Sequence, residues 1–497
     1  LDGPIERPYA YLPATMSLND APPIQVEVRK KGLLGSISET RPSLKVRLAD
    51  PIEGLKRLTL NNNQQDKSQV AQCVAYRAFA RAGVPAPRCS LAHVVVNGVS
   101  LGVYSNVESI KKPFLHRIFG DDGGRLYEGS ISDFRPAWDN TIQKKSDTKN
   151  PERADVVALT QALSSSDEEL LAKLDPLLDV DAFLTFWIME RLIGHWDGYA
   201  NNQNNFYFYR RPDNGKIQFI PWGADSVLGA PDLLSRVDAP PSLYANSQLP
   251  RRLYALPTIR ARYAARMREV LESWDPTEMQ AEIATLEKLA RPHLHISENA
   301  FDAGLAVARS YIEGRRKVIE ADMAQGPVAW ASAPRSSPCG VKAGTVTASF
   351  EAAWEDTQPL NPMGRGKSDL VVELGGAEQT FQMGGVTATA TEESQNKPTV
   401  GFFGMRDGGK LLMVFASINA QDFKPASKLN IDGKRVTGIV LEFEMATGKV
   451  KIAGFLAGGT IELDKAGTND GDIVSGKISA NINQPGYWSD PPTPATR

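Results

Sequence analysis

The sequence predicts an α+β chain, a two-lobed mixed core followed by an all-β, sandwich-like C-terminal domain. Three observations predict it. Residues 24–110 alternate polar and apolar positions before giving way to a helical period and a hairpin. Residues 151–194 and 250–325 carry helical patterns. Beyond about residue 345 glycine, threonine and valine dominate, and turn pairs such as Asp407-Gly408-Gly409 recur between short strands.

Length and charge bound the possibilities. The 497 residues suit roughly two or three domains. With 56 basic against 58 acidic residues, net −2, the chain lacks the basic surplus of a nucleic-acid coat. No run reaches the roughly 18 apolar residues of a membrane span. Hydrophobic content of 42% with 41 Gly and 33 Pro describes a loop-rich globular protein.

The elements follow in order. Residues 1–23 are Pro-rich and read as an extended arm. Ile24, Val26 and Val28 share one face of a strand, with Gln25, Glu27 and Arg29 on the other. Leu44, Val46 and Leu48 repeat the pattern around Lys45 and Arg47, and Arg57 to Leu60 give a third strand. Asp66 or Ser68 caps a helix bearing Val70, Cys73, Val74 and Phe79, which Gly83 and Pro85 stop. Leu91–Val96 and Leu101–Val107 form a hairpin about Asn97-Gly98. Asp181 to Ile193 is apolar nearly all round, a buried helix ended by Gly194. Phe206–Tyr209 and Ile217–Pro221 form a second hairpin about Pro212-Asp213-Asn214-Gly215. The predicted domains are the arm at 1–23, a core at 24–325 (lobes about 24–110 and 111–325), a linker at 326–345 and the all-β domain at 346–497.

Cys73, Cys89 and Cys339 allow at most one disulfide and no zinc set. Cys73 and Cys89 read as buried small apolar residues. The chain opens on Leu1 rather than Met, as removal of a signal peptide or trimming of a longer chain would leave it. His293-x-His295 is a weak metal motif. Asp464, Asn469, Asp470 and Asp472 read as a solvated turn rather than a Ca²⁺ loop.

The chemistry concentrates at 187–229. Asp197 lies in the loop after the buried helix, and Asp225 lies just past the hairpin. A hairpin returns the chain to its start, so the two carboxylates should meet. Asn201, Asn202, Asn204 and Asn205 add neutral oxygen ligands, a set suited to Mg²⁺ or Mn²⁺ that keeps substrate phosphates as further ligands. His195-x-Asp197-x4-Asn202 has the form of the protein-kinase catalytic loop, with Asp225 in the place of the metal-binding Asp. No G-x-G-x-x-G precedes the first strands, and Gly32-Leu-Leu-Gly35-Ser36 is only a weak phosphate loop.

These pieces resemble the CotH family of atypical, protein-kinase-like proteins of spore coats and secreted or surface proteins. The resemblance runs over roughly 24–325. It rests on Val28-Arg29-Lys30-Lys31-Gly32, Arg41-Pro42-Ser43-Leu44-Lys45 and Leu58-Thr59-Leu60-Asn61-Asn62. It continues through Asp66-x-Ser68, Ala82-Gly83-Val84-Pro85, Gly102-Val103-Tyr104 with Glu108, His195-Trp196-Asp197-Gly198-Tyr199, Asn204-Asn205 and Ile220-Pro221-Trp222. It implies a kinase-like fold, ATP with Mg²⁺ or Mn²⁺, and a protein substrate phosphorylated on Ser or Thr. By position, Asp197 resembles the catalytic Asp, Asp225 the metal-binding Asp, and Asn202 or Asn205 the metal-binding Asn. Lys45 and Arg29 become candidates for the nucleotide phosphates, and Glu108 for the acidic partner of Lys45 or a metal contact. The family often has an acid at Gly223 and an Arg at Ala71; this chain has neither. The resemblance places the protein outside the cytoplasm, at the cell surface or in the periplasm, and leaves the C-terminal domain to a surface or carbohydrate ligand. Two other readings stay open: a kinase-fold transferase of AMP or glutamate, and an inactive surface-binding protein.

Overall fold

The computed structural model describes residues 11–486, apart from 20, 33–39, 53, 137, 151, 230–238, 332, 337–339, 356–365, 391–396, 434 and 447–448. The chain divides into two compact units, built on Tyr11–Pro338 and Cys339–Ser489.

The first unit opens with a six-stranded sheet of β1 (Leu12–Met16), β2 (Ile24–Lys31), β3 (Ser43–Ile52), β4 (Leu55–Asn61), β5 (Cys89–Val96) and β6 (Val99–Val107), in the order β1-β2-β3-β4-β6-β5. Part of the segment expected as an arm is therefore a strand: Leu12 pairs with Val28 and Met16 with Ile24. Pairing of edge strand β1 with β2 satisfies backbone groups that a free arm would leave to water. The alternating pattern does its expected work on one face, where Val26, Leu44, Val46, Leu48 and Leu60 pack with Tyr104. On the other face Arg29 lies opposite Lys45, with Lys31 and Arg47 two residues along. The hairpin turn takes positive φ at both Asn97 and Gly98, as a tight two-residue loop requires.

Helix α1 (Ala71–Arg81) is started by Asp66, whose carboxylate accepts from the backbone N–H of Ser68 at 2.8 Å and of Ala71 at 2.9 Å. Gly83, at φ +79°, ends it. The cysteines correct the sequence reading: Cys73 of α1 and Cys89 of β5 form a disulfide. Their Cα atoms stand 4.9 Å apart, within bridging range, because β5 packs on α1.

The rest of this unit is mainly helical. Its chain passes through α2 (Lys112–Phe119), β7 (Arg125–Gly129), β8 (Gln143–Lys144), α3 (Ala154–Leu163), α4 (Asp167–Leu174), α5 (Val180–Leu192) and α6 (Tyr199–Asn202). It continues through β9 (Phe206–Arg210), β10 (Ile217–Pro221), α7 (Gln248–Ala255), α8 (Pro257–Glu272), α9 (Pro276–Ala290) and α10 (Glu298–Met323). Helix α5 is capped by Asp179, which accepts from Ala182 N–H at 3.1 Å. It is buried from Phe183 to Leu192, and Phe186 meets Phe79 of α1, so both lobes share one core. A second sheet runs β10-β9-β7-β8.

The second unit is all β, as expected. Its strands are β11 (Gly340–Ala353), β12 (Lys367–Ser368), β13 (Val371–Leu374), β14 (Ala377–Glu378), β15 (Met383–Thr389), β16 (Thr399–Arg406), β17 (Lys410–Ile418), β18 (Ser427–Asn430), β19 (Val436–Glu444), β20 (Lys449–Ala466) and β21 (Ile473–Pro485). They form one 11-stranded sheet whose main path runs β14-β13-β11-β21-β20-β19-β17-β16-β15. The sheet curls back on itself: Trp354, just past β11, makes a parallel bridge to Ala388 of β15. One core lies inside the curl, with Phe350, Phe402, Val414 and Ile478.

Candidate active site

Antiparallel pairing of β9 with β10 sets Pro221 opposite Phe206, so the chain leaving β10 arrives beside the loop that enters β9. The two stretches are then tied together. Trp222 N–H donates to Asn205 O at 3.2 Å and Leu228 N–H to Ile193 O at 2.8 Å. Trp196 Nε1 donates to Ser226 Oγ at 3.1 Å. His195 Nε2 donates to Trp222 O at 2.8 Å. Burial pulls the His195 pKa down to about 4, so the ring is neutral at pH 7 and this bond also sets its tautomer. From below, the carboxyl of Glu190 on α5 accepts from Tyr199 N–H and Ala200 N–H, each at 2.8 Å. A Cβ at Gly198 would stand 2.5 Å from Glu190 Oε1, so glycine lets the loop close on that acid.

Asp197 is held by amides. Its Oδ1 accepts from Asn202 Nδ2 at 2.5 Å and Asn204 Nδ2 at 3.1 Å, and its Oδ2 from Asn205 Nδ2 at 2.7 Å. A carboxylate offers about four lone-pair directions, so these amides leave one on Oδ2 untaken. Burial raises the Asp197 pKa, and the amides pull it back. Asp225 lies in the same field. Burial pushes its carboxyl up to about 6, the negative charges of Asp197 and Asp66 push the same way, and Lys31 opposes them.

The asparagines divide the remaining work. Asn201 Nδ2 donates to Trp196 O, and Asn204 Oδ1 accepts from Ile131 N–H, so both brace the loop. Asn202 Oδ1 accepts from Arg335 Nη2 at 2.7 Å. Asn205 Oδ1 stands 2.6 Å from the position a Cβ at Gly223 would take. The missing acid at Gly223 thus has a steric cause: φ is +54° there, and any side chain would strike the Asn205 amide. Among the described residues no group of three or more His, Cys, Asp and Glu gathers as a metal set. The available donors are Asp225 and amide oxygens, which suits a hard cation that takes its other ligands from phosphate and water.

The polar face of the first sheet covers this center. Burial lowers the pKa of Lys31 to about 8, while Asp225 and Glu128 draw it up. Lys31 Nζ donates to Asn61 Oδ1, and the chain continues from Asn61 Nδ2 to Gln72 Oε1 at 2.8 Å. Lys45 is lowered to about 8 as well, by burial and then by the charges of Lys31 and Arg29. Lys45 and Arg29 therefore belong with Lys31 to one cluster of cations. Glu108 does not: it pairs with Arg117 at 2.5 Å and accepts from Arg88 N–H, because β6 runs directly into α2 beside it. The acid that faces the lysines is Glu128 of β7, which accepts from Tyr207 OH at 2.6 Å and pairs with Lys145. Sequence reasoning missed Lys31 and Glu128. A signal for the lysine existed, since the polar positions of β2 and β3 after Glu27 are Arg29, Lys31, Lys45 and Arg47.

A cleft of about 1250 Å³ opens beside this cluster. Arg47, Arg57, Lys111, Arg117 and Tyr76 are among its lining residues. Lys111, lowered by burial, also feels Lys145, Arg57 and Glu128, so the cleft adjoins the lysine cluster electrostatically. Elsewhere, His293 stacks on His93 with ring centroids 4.1 Å apart. The acidic loop of the second unit closes on itself, Asn469 N–H donating to Asp472 Oδ2 at 2.9 Å. The expected phosphate loop lies mostly outside the described residues, at 33–36.

The chain is similar to proteins of known name. Over 219 residues it is 25% identical to the inner spore coat protein H-like protein of Bacillus subtilis, covering 44% of this chain and 62% of that protein. Over 201 residues it is 21% identical to invasin CotH2 of Rhizopus delemar, covering 36% and 33%. The chain thus spans between a third and under two thirds of these relatives' lengths. A solved structure, the Helicobacter pylori proinflammatory kinase CtkA, overlays 56% of this chain and 93% of its own at 13% identity, with a TM-score of 0.31, too low to bear on activity. The CotH kinase protein family matches residues 28–318, more than half of the chain and inclusive of Lys31, Lys45, Asp197 and Asp225, and the chain belongs to that family.

Proposed function

We propose that the protein transfers a phosphoryl group from ATP to a Ser or Thr hydroxyl of a protein, with one divalent cation, Mg²⁺ or Mn²⁺. The observation that carries this reading is the hairpin geometry that ties the Asp225 segment to the Asp197 loop, through Trp222 N–H on Asn205 O and Trp196 Nε1 on Ser226 Oγ, with Lys31 and Lys45 buried near them. Asp197 orients the acceptor hydroxyl and takes its proton, with its geometry fixed by three asparagine amides. Asp225 and Asn205 Oδ1 would hold the cation, whose charge offsets that of the phosphates. Lys31, Lys45 and Arg29 neutralise the remaining phosphate charge, and the basic cleft takes the rest of the nucleotide. The Cys73–Cys89 disulfide supports a place outside the cytoplasm, as do the spore-coat and invasin names of the relatives.

Asp225→Ala should abolish Mg²⁺-dependent ATP binding in calorimetry; an unchanged affinity would remove Asp225 from the site. A second reading, an inactive surface-binding protein, draws on the single carboxylate left at the metal position beside Gly223. A thermal shift with millimolar ATP and Mg²⁺ separates the two, because only a binder gains stability. Transfer of AMP instead of phosphate would show in the intact mass of the modified substrate.

A further inference from the structure

The segment that follows α10 reaches the catalytic loop within the same compact unit. Val328 is buried in the shared core and Trp330 packs against it. Further along, Trp138 Nε1 donates to Ser336 O at 2.6 Å. Between these two holds, Arg335 grips Asn202: Nη1 donates to its backbone O at 3.0 Å and Nη2 to its Oδ1 at 2.7 Å. Asn202 in turn donates Nδ2 to Asp197 Oδ1 at 2.5 Å. A fixed cation therefore stands one side chain from Asp197, on the amide oxygen that a kinase-like loop offers to a metal. A guanidinium and a divalent ion on that one oxygen would repel each other strongly at a separation of a few ångströms.

We propose that Arg335 takes the place of a second metal ion, so that the site works with a single divalent cation on Asp225 and Asn205. This deepens the phosphotransfer reading and rests on it. Arg335 is a positioning residue: it fixes the Asn202 amide, which fixes Asp197, and its charge is felt at the Asp197 carboxyl. Planar two-point donation to a carbonyl and an amide oxygen is a geometry that suits Arg and that Lys reproduces only in charge.

The test counts Mn²⁺ bound to the full chain loaded with one equivalent of ATP, by loss of the electron paramagnetic resonance signal of the free ion against a control of the same ATP without protein. Wild type and Arg335→Lys are expected to bind a single ion, and Arg335→Met to admit a second. Phosphate transfer by Arg335→Met should fall roughly tenfold or more and recover in part as Mn²⁺ is raised. A second ion in wild type would overturn this inference alone, and needs no folded variant to detect. Faster transfer by Arg335→Met would also overturn it, by making the segment a block rather than a part of the site. A wild type that binds no Mn²⁺–ATP removes the phosphotransfer reading, and this inference with it.

Discussion

The two units treat polar side chains in opposite ways. The unit of Tyr11–Pro338 buries Asp66, Asp133, Asp155, Glu190, Arg191, His195 and Arg315. The described residues of the second unit bury hydroxyls instead, at Thr387, Thr389, Thr399 and Ser475. Burying an ionisable group is unfavourable unless it is fully partnered. In the first unit Asp155 is partnered by Arg125 and Tyr127 of β7, and other buried acids by loop atoms. Asp133 accepts from Gln203 Nε2 at 2.6 Å and Gln248 N–H at 3.0 Å, and Glu190 holds the two N–H groups behind Asp197. The buried charge is concentrated where a loop must be held in one shape. The second unit satisfies its backbone through strand pairing and fills its interior with hydrocarbon, which gives stability without a polar constellation.

The largest effect expected from this contrast is at Asp197. Asp197→Asn should lower phosphate transfer roughly 10²–10⁴-fold with little change in ATP affinity, measured by radiolabel incorporation and calorimetry. Undiminished transfer would mean that the buried polar network serves only the fold. In the second unit the matching change is Phe402→Ala, in the core with no exposed surface. It should cost about 3–5 kcal/mol in chemical unfolding of that unit and leave ATP binding intact. Loss of ATP binding there would dissolve the distinction between the units.

The approach of Asp197 to Asp225 is legible in the sequence because it follows from local rules. A buried helix stopped by Gly194, a short hairpin and two acids at its open end need no knowledge of distant strands. The same holds for the basic alternation of β2 and β3 as a strand pattern. Which way the polar face looks is not legible: the pattern of β2 and β3 does not show that Asn61 of β4, Gln72 of α1 and Glu128 of β7 gather about Lys31 and Lys45. Glu108 failed as a partner for Lys45 for the same reason, since a nearer cation, Arg117, lies only nine positions along on α2. The Cys73–Cys89 pair depended on how a helix packs on a strand 16 residues away. Long-range pairings are set by packing, and a single sequence carries little of that.

A smaller effect sharpens the account of Glu190. Burial pushes its pKa up to about 8 against the ordinary value near 4.5. A carboxyl whose folded pKa is raised binds its proton more tightly in the folded state. Its stabilising contribution is complete below the ordinary value and is lost as pH rises through about 8. Glu190→Gln keeps a neutral side chain at every pH. Its amide N–H₂ faces one of the two backbone donors, so the variant should start about 1–2 kcal/mol less stable at low pH. The gap in thermal midpoint from wild type should then narrow as pH is raised from about 5 to about 8. Parallel profiles would show that Glu190 is ionised throughout and that its two N–H bonds outweigh its burial.

The smallest expected effect lies in the second unit, at the Lys428–Glu462 pair that bridges β18 and β20 at 2.6 Å. Both side chains are largely in water, with 66% and 41% of their surface exposed. Solvent and salt screen such a pair, and holding two long side chains in one geometry costs entropy. Lys428→Gln should therefore leave the thermal midpoint of that unit unchanged at physiological ionic strength, whereas Glu190→Gln moves the midpoint of its own. If the exposed pair proved the more costly to remove, charge would matter in the second unit as well. A functional surface would then have to be sought along β18 and β20 rather than only at the loop of Asp197.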